Sequence, residues 1–191
     1  MKLLKERILR DGMLRKGDIL KVDSFLNHQV DPLLLQAIAK EFRHRFSGNR
    51  VDKILTIEAS GIAVAAALAM ELGVPFVFAK KTQSKNLDGE VYTAPVYSYT
   101  KDTTYTLMVA KRFLSEGEHV LLIDDFLAMG AALGALLEII GKANAHCTGA
   151  GIVIEKGFQP GGAALRKAGV NVQSLAIVES MQNGILEFRE E

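Results

Sequence analysis

Short apolar runs and helical repeats alternate along most of this chain. "KILTIE" (from Lys53), "FVFA" (from Phe76), "HVLLIDD" (from His119), "GAGIVIEK" (from Gly149) and "NVQSLAIV" (from Asn171) are runs of strand length, rich in branched and aromatic residues. Between them lie helical signals. Asp31-Pro32 reads as a cap followed by proline at the first helical position, and Leu35, Ile38, Ala39, Phe42 and Phe46 then recur at helical spacing. "IAVAAALAMELG" predicts a helix closed by Gly73, with Pro75 just beyond. Residues 130–143 and "GGAALRKAG" predict two more helices, and "ILEF" an edge strand. Strands alternating with helices predict an α/β fold: a Rossmann-like, parallel, doubly wound sheet flanked by helices. Ligands of such sheets bind outside the carboxyl ends of the strands. The loops after Glu58, Ala79, Asp125 and Glu155 should therefore share one rim.

Residues 80–106 break the pattern. "KKTQSKNLDGEVYTAPVYSYTKDTTYT" is polar and basic, and its Tyr and Val alternation predicts a β-hairpin or a flexible flap rather than core. Connections of this length inside a compact domain are usually functional or disordered.

Composition narrows the setting. With 191 residues, about half of them apolar, the chain suits a single domain, 1–191. A formal net charge of +1 gives no reason to expect nucleic acid or an anionic membrane as partner, so any anion site must be local. The single cysteine, Cys147, excludes an intrachain disulfide and reads as a small buried residue. The amphipathic "MKLLKERILRDG" has no apolar run of signal-peptide length, and the stretch 62–70 is too short to span a bilayer; the expected location is the cytoplasm. The four histidines are read as structural or exposed, and no direct metal ligand is assigned.

Four strand ends on the expected rim carry chemistry. Glu58, Ala59, Ser60 and Gly61 form a small-residue turn opening a helix, where backbone N–H groups can face an anion. Lys80 and Lys81 follow "FVFA", and Lys156 follows "GIVIE". Taken singly, each is compatible with an ordinary turn or a solvated lysine. The fourth, "DDFLAMGAA", is harder to explain that way. Asp124 and Asp125 close a strand and so point to opposite faces, and carboxylates accept hydrogen bonds only, which suits sugar hydroxyls. Ala128, Met129, Gly130, Ala131 and Ala132 then offer bare amides at a helix start, which suits a phosphate.

"VLLIDDFLAMGAA" resembles the 5-phosphoribosyl 1-pyrophosphate (PRPP) signature of the type I phosphoribosyltransferases. "ILKVDSFLNHQVDP" and "IEKGFQPG" resemble the xanthine-using, purine-salvage branch of that family, in the same order and over nearly the whole chain. The resemblance implies that Asp124 and Asp125 hold the ribose hydroxyls, that residues 128–132 cup the 5′-phosphate, and that Glu58, Ala59, Ser60 and Gly61 form the pyrophosphate loop with help from Lys81. It also implies a hood made of residues 1–35 and parts of 155–191, in which Leu20, Asn27, Lys156 and Phe126 contact xanthine. Residues 80–106 would be the flexible flap. Mg²⁺ bound mainly through PRPP and water, and a homodimer, complete the implied picture. Many relatives carry Thr or Ser in the phosphate loop, whereas "AMGAA" leaves the phosphate to backbone amides. Alternative readings are adenine or guanine/hypoxanthine as substrate, or a PRPP-binding transcription regulator without turnover. The regulator needs a DNA-binding module, for which the charge gives no sign.

Overall fold

The computed structural model describes residues 1–15, 18–81, 89–98 and 103–190. Helix α1 (Lys2–Asp11) leads into a short antiparallel pair, β1 (Met13–Arg15) and β2 (Ile19–Lys21), and a π-helical turn, Asp23–Asn27. Helix α2 (Pro32–Arg45) starts where Asp31 accepts the amides of Leu33 and Leu34 and Pro32 takes the first helical position. Then follow β3 (Lys53–Ile57), α3 (Gly61–Leu72), β4 (Phe76–Ala79), β5 (Val91–Ser98), β6 (Thr103–Ala110) and β7 (His119–Leu127). The chain continues through α4 (Ala131–Lys142), β8 (His146–Lys156), α5 (Gly161–Lys167), β9 (Val172–Ser180) and β10 (Glu187–Phe188). Gly73 ends α3 in the left-handed conformation, at φ 69°.

Six strands form one sheet in the order β10-β9-β8-β7-β3-β4, parallel throughout except for the antiparallel edge strand β10. The parallel directions put the carboxyl ends of β3, β4, β7 and β8 on one rim, as expected. Strand alternation divides the apolar residues between two faces. Ile54, Leu121, Ile123 and Val153 pack with α1, α2 and α3. Leu55, Val120, Leu122 and Ile152 pack with α4 and the β5–β6 pair. Gly151 makes room for Phe42, because a Cβ there would lie 2.9 Å from the Phe42 ring.

Three expectations need correction. Residues 91–98 and 103–110 do form antiparallel strands, but Ala94, Val96, Leu107 and Val109 along them are buried core, not surface. The alternation that looked flap-like is a half-buried sheet face. Residues 82–88 and 99–102 of the expected flap lie outside the described residues. Strand β7 runs two residues beyond Asp125, to Leu127, so the acidic pair does not close it. Cys147 is exposed rather than buried, because it stands second in β8, at the rim opposite the acidic pair.

The N-terminal segment is packed against the C-terminal one. The Met1 ammonium donates to the Leu175 carbonyl at 2.6 Å, and Lys5 Nζ to the Arg189 carbonyl at 2.9 Å. Leu4, Ile8, Leu20, Val22 and Phe25 share a core with Leu175 and Val178.

Phe42 is fully buried between α2 and the sheet. Phe42→Ala should lower the unfolding free energy by about 3–5 kcal/mol, measured by urea denaturation.

Candidate active site

The centre of the rim is the acidic pair. Asp124 and Asp125 are 9% and 5% exposed, an unusual degree of burial for adjacent carboxylates. Their surroundings differ by side of the sheet, as strand alternation requires. Asp125 accepts the Ser60 hydroxyl at 2.9 Å and the Asn27 Nδ2–H at 3.0 Å, on the side of α2 and α3. Asp124 accepts the Asp125 backbone amide at 2.9 Å and lines a cavity on the side of α4 and the hairpin. Burial, reinforced by the neighbouring Asp125 carboxylate, holds the Asp124 pKa well above the ordinary carboxylate range.

That cavity, about 230 Å³, is walled by Val96, Tyr97, Tyr105, Asp124 and the whole loop Ala128, Met129, Gly130, Ala131 and Ala132. The loop ends at Gly130, which precedes α4 in the left-handed conformation at φ 83°. No side chain caps α4 and no acidic residue occupies its first turn. Its first amides and the positive end of a twelve-residue helix therefore stand open to an anion.

The turn after β3 lies beside the pair. Gly61 opens α3 under Thr56, and a Cβ at Gly61 would sit 2.1 Å from Thr56 Oγ1 and 3.4 Å from Asp124 Oδ1. Glu58 accepts the Lys81 backbone amide at 2.7 Å, and the Glu58 amide donates to the Ala79 carbonyl at 3.1 Å. The turn at Glu58, Ala59, Ser60 and Gly61 is thus tied to the segment that carries Lys81. The Lys81 ammonium lies 5.7 Å from the Tyr105 ring centroid.

The remaining four candidates lie apart from the turn after β3. Asn27, at the end of the π-helical turn, reaches the acidic pair directly. Phe126 packs against the core shared by the N-terminal segment and also lines the cavity beside Asp124, while Leu127 packs with the opposite core, so the alternation along β7 is lost beyond Asp125. Lys156, at the end of β8, donates to the Asp18 carbonyl at 2.8 Å, and burial lowers its pKa. Leu20 is buried in the core and lines a small cavity with Ile8, Gly12, Leu14 and Leu186.

Sequence reading missed several members. Tyr97 and Tyr105 both wall the cavity beside residues 128–132, although the strand register puts them on opposite faces of the β5–β6 pair; their alternation was visible, but not that both reach the cavity. Burial and then the Asp124 charge raise the Tyr105 pKa. Glu155, 2% exposed, is held by both Arg166 guanidinium nitrogens at 2.7 Å and by the Ser174 hydroxyl, a network no local motif signals.

Residues 23–180 match the family model described as a phosphoribosyl transferase domain. The chain belongs to the phosphoribosyltransferase family. It is 56% identical over 191 residues to a xanthine phosphoribosyltransferase of Alkaliphilus metalliredigens, covering 100% of this chain and 95% of that one. A Clostridioides difficile protein of the same name is 53% identical, covering 99% of this chain and all of that one. Adenine phosphoribosyltransferases from Rhodothermus marinus and Saccharomyces cerevisiae share the fold. Their TM-scores are 0.76 and 0.73 and their identities 19% and 21%, covering 93% and 92% of this chain and 100% and 99% of theirs. The type I phosphoribosyltransferase fold is thereby established, and family members move a phosphoribosyl group between carriers.

The buried acid has a consequence for stability. A carboxyl whose native pKa is raised contributes stability that is present below its unfolded pKa of about 3.9 and is lost as pH rises through the native one. Asp124→Asn should therefore raise the melting temperature near neutral pH, with the gain vanishing as pH falls below the ordinary carboxylate range. A pH series of thermal melts measures it.

Proposed function

We propose that this chain transfers 5-phosphoribose from PRPP to xanthine, giving xanthosine 5′-monophosphate and pyrophosphate in purine salvage. The observation that carries the reading is the buried Asp124–Asp125 pair beside the uncapped start of α4, in a chain whose full-length relatives are named xanthine phosphoribosyltransferases. Those relatives favour xanthine over adenine or guanine and a transferase over a regulator without turnover.

In this reading the ribose hydroxyls donate to Asp124 and Asp125, and the 5′-phosphate takes the amides of Ala128, Met129, Gly130, Ala131 and Ala132. Glu58, Ala59, Ser60, Gly61 and Lys81 receive the pyrophosphate. As the anomeric bond breaks, positive charge grows on the sugar ring and negative charge on the leaving group. The acidic pair stabilises the first and Lys81 the second, so catalysis is positional and electrostatic. Asp125 already holds Ser60 and Asn27, so an arriving sugar shares that carboxylate with the pyrophosphate turn and the base side.

Mg²⁺ fits this donor set as a cofactor carried mainly by substrate. It binds hard oxygens, commonly one or two carboxylates with phosphates and water. The ion would be held mainly by oxygens of PRPP and pyrophosphate and by water, with no direct protein ligand assigned. When bound, it neutralises the leaving pyrophosphate.

Xanthine carries oxo groups at positions 2 and 6. The Lys156 ammonium has three donors, of which one goes to the Asp18 carbonyl, leaving others for an oxo group. Asn27 spends one N–H on Asp125 and keeps its carbonyl and second N–H for the base edge. Phe126 packs beside the base, and Leu20 belongs to the apolar body of the hood. The hood comprises residues 1–35 with parts of 155–191. Among the described residues no helix is long and apolar enough to cross a membrane. A cytoplasmic homodimer is the state that the family resemblance implies for this reading.

Incubation with PRPP, Mg²⁺ and each purine base separately tests the assignment: xanthine should give the fastest nucleotide formation, and a faster reaction with adenine or guanine would replace it. Asn27→Ala and Lys156→Ala should raise the KM for xanthine about 10- to 100-fold and that for PRPP less, the range for one lost hydrogen bond to a charged or buried group. Equal losses for both substrates would remove these residues from the base pocket. Asp124→Asn/Asp125→Asn should lose PRPP binding, seen by calorimetry.

A further inference from the structure

Behind the phosphate loop stands a second glycine segment. The Gly161 amide donates to the Ala128 carbonyl at 3.1 Å. A Cβ at Gly161 would lie 2.3 Å from that oxygen, 2.6 Å from Gly130 N and 2.7 Å from the Met129 carbonyl carbon. All three are backbone atoms, so no rotamer change relieves the overlap. The approach is reciprocal: a Cβ at Gly130 would lie 3.0 Å from Gly161 Cα. Gly130 needs glycine for its left-handed φ of 83° as well, whereas Gly161 is not left-handed, so only the close approach explains a glycine there.

The support itself is fixed in place. The Gly157 amide donates to the Val178 carbonyl at 2.7 Å, which pins the start of the connection between β8 and α5. Gly162 leaves room for the buried Glu155, since a Cβ there would lie 1.9 Å from Glu155 Oε1. Glu155 in turn is clamped by Arg166 from α5. A side chain at position 161 would therefore displace the facing loop at Ala128, Met129 and Gly130, which lines the cavity.

We infer that Gly161 is a positioning residue for phosphoribose: its bare backbone sets, from behind, the shape of the amide cradle at Ala128, Met129 and Gly130. This rests on the reading that residues 128–132 seat the 5′-phosphate. Gly161 touches no substrate. Because the segment begins at Lys156, one short connection joins the proposed base contact to the back of the phosphate seat.

Gly161→Ala tests it, with ribose 5-phosphate as the probe. Alanine favours a helix over glycine, so a purely structural role would leave binding unchanged. The expected result is ribose 5-phosphate affinity weakened about tenfold or more, the scale of at least one lost charge-assisted hydrogen bond. The KM for PRPP should rise in step, while the KM for xanthine stays within about twofold. Gly134→Ala in α4, where a Cβ meets nothing within 4 Å, should bind like the parent. Parental affinity in folded Gly161→Ala, or equal rises in both KM values, overturns the role. If that variant does not fold, hydrogen exchange in the unaltered protein decides: ribose 5-phosphate should slow exchange at the Gly161 amide, and an unchanged rate overturns the role. Should the unaltered protein itself fail to bind ribose 5-phosphate, the phosphate seat falls, and this role with it. Equal binding by parent and variant removes only Gly161.

Discussion

Two neighbouring carboxylates in an almost dry strand are expensive: each loses hydration, and each raises the cost of charging the other. The fold meets part of that cost with the Asp125 amide on Asp124 and with the Ser60 hydroxyl and Asn27 amide on Asp125. Those three donors come from β7, from the start of α3 and from the N-terminal segment. Holding the acids therefore also brings together the turn after β3 and the π-helical turn that carries Asn27. The offset is incomplete, as the raised Asp124 pKa records. A site kept short of its best electrostatic arrangement is what a sugar diol with its cationic transition state would complete.

In the proposed reading the anion side uses backbone instead of charge. With hydroxyl-free "AMGAA", the seat beside α4 depends on amides and on the helix end. Backbone donors work only if their directions are held, and here the holding is steric: Gly130 and Gly161 meet without side chains. Position and charge are thus supplied by different parts of the rim. Lys81, anchored through its own amide to Glu58, brings a cation to the cavity wall at Tyr105.

The β5–β6 hairpin shows one element carrying two tasks. Ala94, Val96, Leu107 and Val109 close the core over α4, while Tyr97 and Tyr105 wall the cavity. A mobile flap would need the hairpin's base to stay fixed, and buried apolar side chains fix it.

Local chemistry made most of the fold legible in the sequence. The Asp31-Pro32 cap, the left-handed Gly73, the apolar runs of β3, β4, β7, β8 and β9 and the helical repeat of α2 are each determined by residues close together in the chain, whereas the strand order came only with the tertiary structure. The acidic pair and the bare loop were legible for the same reason, being contiguous. What required the tertiary structure was every relation across the chain. Asn27 meets Asp125 across 98 positions, Lys156 meets the Asp18 carbonyl across 138, and Gly161 meets the loop at Ala128, Met129 and Gly130 only because α5 folds back on it. The inward face of β5, the exposure of Cys147 and the break in alternation at Phe126 were likewise decided by packing. Propensity and periodicity describe what a segment prefers alone, whereas burial and close approach exist only once segments from distant parts of the chain exclude water together.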